Sequence, residues 1–111
     1  MAMPDAGDVI WIEFPGAVVT KRRPAVVLSS VAYHTARPDV IVGLITSQVA
    51  KSAATADHLI ANWQAAGLRI PSAFRAFLAT LPKSSIISTV GKLSDLDWRA
   101  VQECVRRAIS S

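Results

Sequence analysis

The chain is poor in cysteine, in aromatic residues and in negative charge, and it contains no long apolar run. Its lone thiol, Cys104, cannot close an internal disulfide, which predicts a reducing, cytoplasmic setting. No apolar stretch approaches the length needed to cross a bilayer as a helix, so neither a membrane span nor a membrane partner is expected. His34 and His58 lie far apart in sequence, and no Cys/His cluster has metal-ligand spacing, so neither a metal nor a cofactor is expected. Residues 1–8 lack the basic and apolar regions of a secretory signal, and none is expected. No repeat or low-complexity tract occurs. Acids number 8 against 12 Lys and Arg, giving a net charge of +4, which permits a polyanionic partner without demanding one.

What is present is a globular composition. Hydrophobic residues make up 51% of the 111 residues and the mean hydropathy is +0.36, which predicts one domain over 1–111 with a single modest core. Asp8 to Phe14 reads as a first strand, bounded by Gly7 and by Pro15-Gly16. A second strand is expected over 24–30 and a third over 39–46, the latter nearly all apolar and buried on both faces. Shorter strands are expected at 58–63, 72–77 and 86–90, with a turn over 65–71.

The last element reads as a helix. Ser94 precedes Asp95-Leu96-Asp97 with capping-box spacing, placing acids in the positive first turn. Val101, Cys104, Val105 and Ala108 then form an apolar stripe, which makes Cys104 a small core residue. Glu103 stands four residues before Arg107, the favourable order for a helical ion pair. Several short strands closed by a helix predict a mainly β (α+β) fold, a small β-barrel with a C-terminal α-helix.

The densest local signal is the basic run Lys21-Arg22-Arg23 leading into Pro24 and the apolar Ala25-Val26-Val27-Leu28. Pro24 fixes φ where the second strand is expected to begin, and Arg23 before it is biased to an extended backbone. A guanidinium is thereby held at the lip of a sheet, where a phosphate can meet it. A solvated cluster that keeps an edge soluble is the plainer reading of the same residues.

Gly7-Asp8-Val9-Ile10-Trp11, Arg22-Arg23-Pro24-Ala25-Val26-Val27-Leu28-Ser29 and Ile45-Thr46-Ser47-Gln48 occur in that order, followed by Trp63-Gln64-Ala65-Ala66-Gly67-Leu68, Pro71-Ser72 and Gly91-Lys92-Leu93. Together they resemble the PemK/MazF-like toxins of type II toxin–antitoxin systems, from about residue 7 to 109. The resemblance implies an SH3-like barrel, a homodimer, and metal-independent, sequence-selective endoribonuclease activity on single-stranded RNA. It also implies a cognate antitoxin that covers the RNA site, with DNA contacted only through the antitoxin complex. Carried over by position, the family's catalytic arginine falls on Arg23 and its strand-end hydroxyl on Thr46, with Ser47 and Gln48 beside it in the RNA groove.

The chemistry agrees with those residue types. Metal-free RNA cleavage uses the substrate's 2′-hydroxyl as nucleophile and leaves a cyclic phosphate, so the enzyme must stabilise a phosphorane. A guanidinium fork suits that task, and a threonine hydroxyl donates a further hydrogen bond. Lys21 and Arg22 suit flanking phosphates. Arg75 faces either the RNA groove or a salt-bridging partner. An arginine is a poor proton acceptor, so the general base stays unassigned. Glu13 reads first as a solvent-facing strand residue and His34 as a surface loop residue, each only second as a base. Trp11, Trp63 and Trp98 offer stacking surfaces, although Trp11 and Trp98 are expected in core or dimer contacts.

Two stretches depart from the family pattern. The segment from Gly16 to Thr20 is short and apolar where relatives often carry a longer polar loop. Ala76-Phe77-Leu78-Ala79 lacks the charged and amide residues that relatives often place before their Thr-Leu pair, here Thr80-Leu81. An alternative from another class is a non-catalytic barrel of the same fold that binds nucleic acid or a protein such as gyrase. Gyrase poisoning would lean on C-terminal aromatic residues, whereas this chain ends Ala108-Ile109-Ser110-Ser111.

Overall fold

A computed structural model describes residues 3–15, 19–49 and 57–110. The Gly16–Val18 part of the apolar segment between the first two strands lies outside the described residues, as does 50–56 between the third and fourth expected strands. The described chain forms β1 (Asp8–Pro15), β2 (Thr20–Val27), α1 (Val31–Ala36), β3 (Asp39–Thr46), β4 (His58–Leu59), β5 (Ala73–Pro82), β6 (Ile86–Lys92) and α2 (Asp95–Ala108). A single 3-10 turn at Lys83–Ser85 links β5 to β6. Neither helix is long and apolar enough to cross a membrane.

The six strands make one sheet in the order β4-β5-β3-β2-β1-β6, and the pairs are antiparallel. Alternation along the strands sends side chains to two faces, and both faces are covered. Val9, Val26, Ile45 and Phe74 point to one face, where Leu93 and the α2 residues Val101 and Cys104 join them. Ile10, Ile12, Ala25, Val27, Val40, Val42 and Leu44 point to the other and meet Leu81 and Ile86. Leu81 and Ile86 come from β5 and β6, on opposite flanks of β1–β3. They reach one cluster because the sheet curls, forming the small SH3-like barrel. Two glycines make close approaches possible. Gly7, at φ +92°, opens β1 and lies against Trp98. A Cβ on Gly43 would come within 2.7 Å of the Phe74 ring, so only a bare backbone there leaves room for the ring against β3.

β3 has the expected bounds, and α2 carries the expected cap: the Asp97 N–H donates to Ser94 Oγ at 3.2 Å. Glu103 pairs with Arg107 at 3.3 Å and also with Arg106, which holds its carboxyl below the usual range. Cys104 is buried on the apolar stripe, and burial pushes its thiol up, so it packs and does not react. Trp98 is half-buried, whereas Trp11 is 38% exposed on β1.

Four expectations are corrected. β2 begins at Thr20 rather than at 24, so Pro24 sits inside the strand, opposite Trp11. Proline is tolerated there because β2 pairs with β3 only over Ala25 to Val27, leaving β1 as the one strand paired with 20–24 among the described residues. β4 stops after two residues, and the chain then winds through turns over 61–67. β5 runs to Pro82, well beyond the expected end, because it pairs along the whole of β3.

The fourth correction concerns the chain after β2, which forms α1 rather than a loop. Ser30 caps it by accepting from the Tyr33 N–H at 3.2 Å. His34 on α1 is buried, not on the surface. Its Nε2 is hydrogen-bonded to Ser29 Oγ, which also accepts from the Ile41 N–H at 3.0 Å. Burial, reinforced by Lys83 and opposed by Asp5, lowers the pKa of His34. A base held neutral in the fold takes up its proton first in the unfolded chain. Its contribution to stability is therefore complete above about pH 6.5 and declines as pH falls through that value. Urea midpoints are expected to fall between about pH 7 and 5, and His34→Gln should flatten that step. An unchanged slope in the variant would assign the step elsewhere.

Candidate active site

Register brings the sequence candidates together. Thr46 lies opposite Ala73 of β5, and Ala73 lies opposite Leu59 of β4. On the other flank Arg23 lies opposite Ile12, which lies opposite Ile86. The β2–β3 ladder pairs Ala25 with Leu44 and Val27 with Val42; the same register carried two residues further sets Arg23 across from Thr46. Two rows therefore end at the seam between β2 and β3: Leu59, Ala73 and Thr46 from one flank, and Ile86, Ile12 and Arg23 from the other.

The hydrogen-bonded ladder stops before that pair is reached. β2 and β3 part between Arg23 and Thr46, at the end of the interior cluster that holds Ala25, Val27, Val42 and Leu44. Residues directly opposite or two apart on a strand share a face. Arg23 and Lys21 therefore project on the same face as Ala25, and Thr46 on the same face as Leu44. On β5, Phe74 packs on the α2 side and Leu81 in the interior, so Arg75 and Phe77 also belong to the interior face. Arg23 and Thr46 are half-buried, while Lys21, Ser47, Gln48, Arg75 and Phe77 are exposed, so the arrangement is an open groove. The cavity of about 250 Å³ beside His34 and that of about 280 Å³ beside Trp98 lie away from it.

The electrostatics are one-sided. Among the described residues none of Lys21, Arg22, Arg23 and Arg75 has a carboxylate within ion-pair distance, so the salt-bridging reading of Arg75 is not realised there. Thr46 Oγ1 accepts from the Gln48 N–H at 3.1 Å, a tight turn that ends β3 and leaves the hydroxyl hydrogen free to donate. Arg22 is set apart from this group. It lies opposite Glu13, and both project to the other face of the ribbon.

The second-choice bases are elsewhere. Glu13 is on the opposite face from Arg23. His34 is engaged with Ser29 beside Ile41, about 17 Å along β3 from Thr46. His58 Nε2 is 2.8 Å from Asp97 Oδ1. Asp97 is fully buried, and its carboxylate also accepts from the N–H groups of Ala61 at 2.8 Å and Asn62 at 2.9 Å, and from Ser94 Oγ at 3.2 Å. Burial alone would raise its pKa. The bonds from His58, Asn62, Ala61 and Ser94 outweigh burial and hold the carboxyl below its usual range.

Sequence reasoning missed this clamp because His58 and Asp97 are 39 residues apart. It also missed the groove positions of Leu59 and Phe77. Both are apolar yet more than half exposed, a signal that appears only once a register assigns them a face.

The family profile described as PemK-like, MazF-like toxin of type II toxin–antitoxin system matches residues 5–109. The chain belongs to this family. Its fold is similar to that of an endoribonuclease in complex with its cognate antitoxin from a mycobacterial species, with a TM-score of 0.79 and 15% identity over 96% of this chain and 94% of that one. It is also similar to MazF from Deinococcus radiodurans, with a TM-score of 0.76 and 21% identity over 97% of each chain. The Mycobacterium tuberculosis toxin MazF-mt6 gives a TM-score of 0.75 and 19% identity over 91% of this chain and 94% of that one. Comparison with curated proteins gives no match.

Proposed function

We propose that this PemK/MazF-family toxin is an endoribonuclease that cuts single-stranded RNA without a metal, through attack of the substrate's 2′-hydroxyl on the adjacent phosphate. The observation that carries the reading is that the β2–β3 ladder ends at Ala25 and Leu44, two residues short of Arg23 on one strand and of Thr46 on the other. In support, solved proteins of this fold include an endoribonuclease bound to its antitoxin and a MazE–MazF complex.

In this mechanism the scissile phosphate sits between Arg23 and Thr46. The 2′-oxygen loses its proton to water and bonds to phosphorus as the 5′-oxygen leaves and takes a proton from water, giving a 2′,3′-cyclic phosphate and a 5′-hydroxyl. Arg23 donates a fork of hydrogen bonds to the phosphorane oxygens, whose charge grows in the transition state. Thr46 donates one neutral bond to the same group. Arg75 and Lys21 hold neighbouring phosphates from either flank, and Ser47 and Gln48 line the groove at the end of β3. Arg22, on the other face, acts only in the longer-range field. Glu13, His34 and His58 take no part, so catalysis rests on positioning and charge stabilisation. The protein acts in the cytoplasm as a homodimer and is silenced by a cognate antitoxin laid over the groove. Any contact with DNA runs through the antitoxin complex.

Thr46→Ala removes a neutral donor, and a loss of about tenfold in cleavage rate is expected at unchanged melting temperature. A loss larger than that of an Arg23 variant would reverse the division of roles. The function itself is tested by incubating purified protein with long single-stranded RNA in EDTA and resolving the products on a sequencing gel. Discrete cuts support the reading. Retained RNA binding without cuts would favour the binding-module alternative.

A further inference from the structure

Phe77 is left unexplained by the cleavage chemistry. It is 55% exposed on a strand whose neighbouring positions Ala76 and Leu78 pack into the α2-side core. It shares the interior face with Arg75, two residues back along β5, where the pairing with β3 shifts register. Its ring meets Phe14 edge to face, with centroids 5.9 Å apart and an interplanar angle of 77°. Phe14 is half-buried against the interior cluster, so the exposed ring is braced from behind.

Resting on the reading of this groove as an RNA site, we infer that Phe77, braced by Phe14, is a base-stacking platform that receives a nucleobase of the bound strand next to the phosphate held by Arg75. The occupant is a nucleic acid strand because the charged groups placed on this face are the cations Lys21, Arg23 and Arg75, which have no carboxylate partner among the described residues. Alternation of a backbone-tracking cation with an aromatic face is the physical requirement for single-strand binding. A phenyl ring carries no donor or acceptor. The position therefore reads the presence and size of a base, not its hydrogen-bonding edge, and purines should be favoured.

Binding to strands without a 2′-hydroxyl separates this claim from catalysis. A short deoxyadenosine strand and the same sugar-phosphate chain with abasic residues carry equal charge. The wild-type protein is expected to bind the base-bearing strand about tenfold more tightly. Phe77→Ala should lose that tenfold on the base-bearing strand and nothing on the abasic one, and Phe77→Trp should restore it. Equal wild-type affinity for both strands would overturn the proposal, as would an equal loss on both in Phe77→Ala. So would altered self-association in sedimentation without loss of base dependence, because Phe77 would then be a protein contact. RNA cleavage by the wild type, assayed alongside, keeps the two readings apart. Base-dependent binding without cleavage would sink the nuclease and leave the platform; cleavage with base-independent binding would do the reverse.

Discussion

Arg23→Ala is expected to lower RNA cleavage on the order of 10³-fold while leaving the fold and its melting temperature almost unchanged. The size follows from what is lost. A guanidinium supplies charge and a planar pair of donors to a phosphorane whose negative charge exceeds that of the bound phosphate, so its effect is greater in the transition state than in the ground state. Loss of Arg75 or Lys21 should instead weaken binding in a salt-dependent way. The fold should tolerate the change because Arg23 is half-buried, has no carboxylate partner among the described residues, and lies where β2 has only β1 beside it. Arg23→Lys tests the fork directly. A point charge restores attraction but not two-pronged geometry, so only partial recovery is expected. Full recovery would mean that charge alone matters. A fall in melting temperature matching the fall in activity would make Arg23 a structural residue.

Asp97→Ala is expected to cost about 3–5 kcal/mol of stability, the largest effect of any single substitution considered. The carboxylate is fully buried and is the shared acceptor for the Ala61 and Asn62 N–H groups, for His58 and for Ser94. Removing it strands two backbone donors and an imidazole at once, and a domain of this size is stable by only about 5–15 kcal/mol. The same bond set fixes the sign of the acid response. A carboxyl whose folded pKa lies below its unfolded value near 3.9 stabilises the fold fully above that value, and the contribution fades as pH drops through it. A second acid step, below about pH 4 and distinct from that of His34, should therefore appear in wild type and vanish in Asp97→Asn. Urea denaturation across pH measures both. A loss under about 1 kcal/mol in Asp97→Ala would show that water replaces the carboxylate readily.

The clamp also bears on the groove. His58, Ala61 and Asn62 are tied to α2 through Asp97, and Leu59 stands at the end of the row that contains Ala73 and Thr46. A helix on one face of the sheet thereby holds the short strand that borders the site on the other.

Much of this was legible in the sequence, and the failures have physical causes. β3 announced both its ends because its apolar run, buried on both faces, is bracketed by Asp39 and Thr46. α2 did so through its cap, stripe and ion pair, all local signals. β2 was misplaced because three cations read as a loop and the proline after them as a strand start. An edge stretch with one neighbour accepts both, since no ladder on its other side needs a proline N–H. α1 escaped notice because six residues cannot display a stripe, and its only mark was Ser30. Of the candidate site, motif order picked out Arg23 and Thr46, and each lies two residues beyond the end of the β2–β3 ladder. Arg22, adjacent in sequence, went to the opposite face by strand alternation, which a run of three cations cannot reveal. Phe77 and the His58–Asp97 pair depend on contacts between distant elements, invisible to any local pattern.

The central claim is that the groove between Arg23 and Thr46 breaks RNA by 2′-hydroxyl attack. End-group mapping of a long single-stranded RNA, incubated in EDTA with the wild type and with Arg23→Ala, tests it most directly. The account predicts discrete cuts bearing 2′,3′-cyclic phosphates and 5′-hydroxyls in the wild type and almost none in the variant. Equal cutting by both proteins, or products bearing 5′-phosphates, would contradict it.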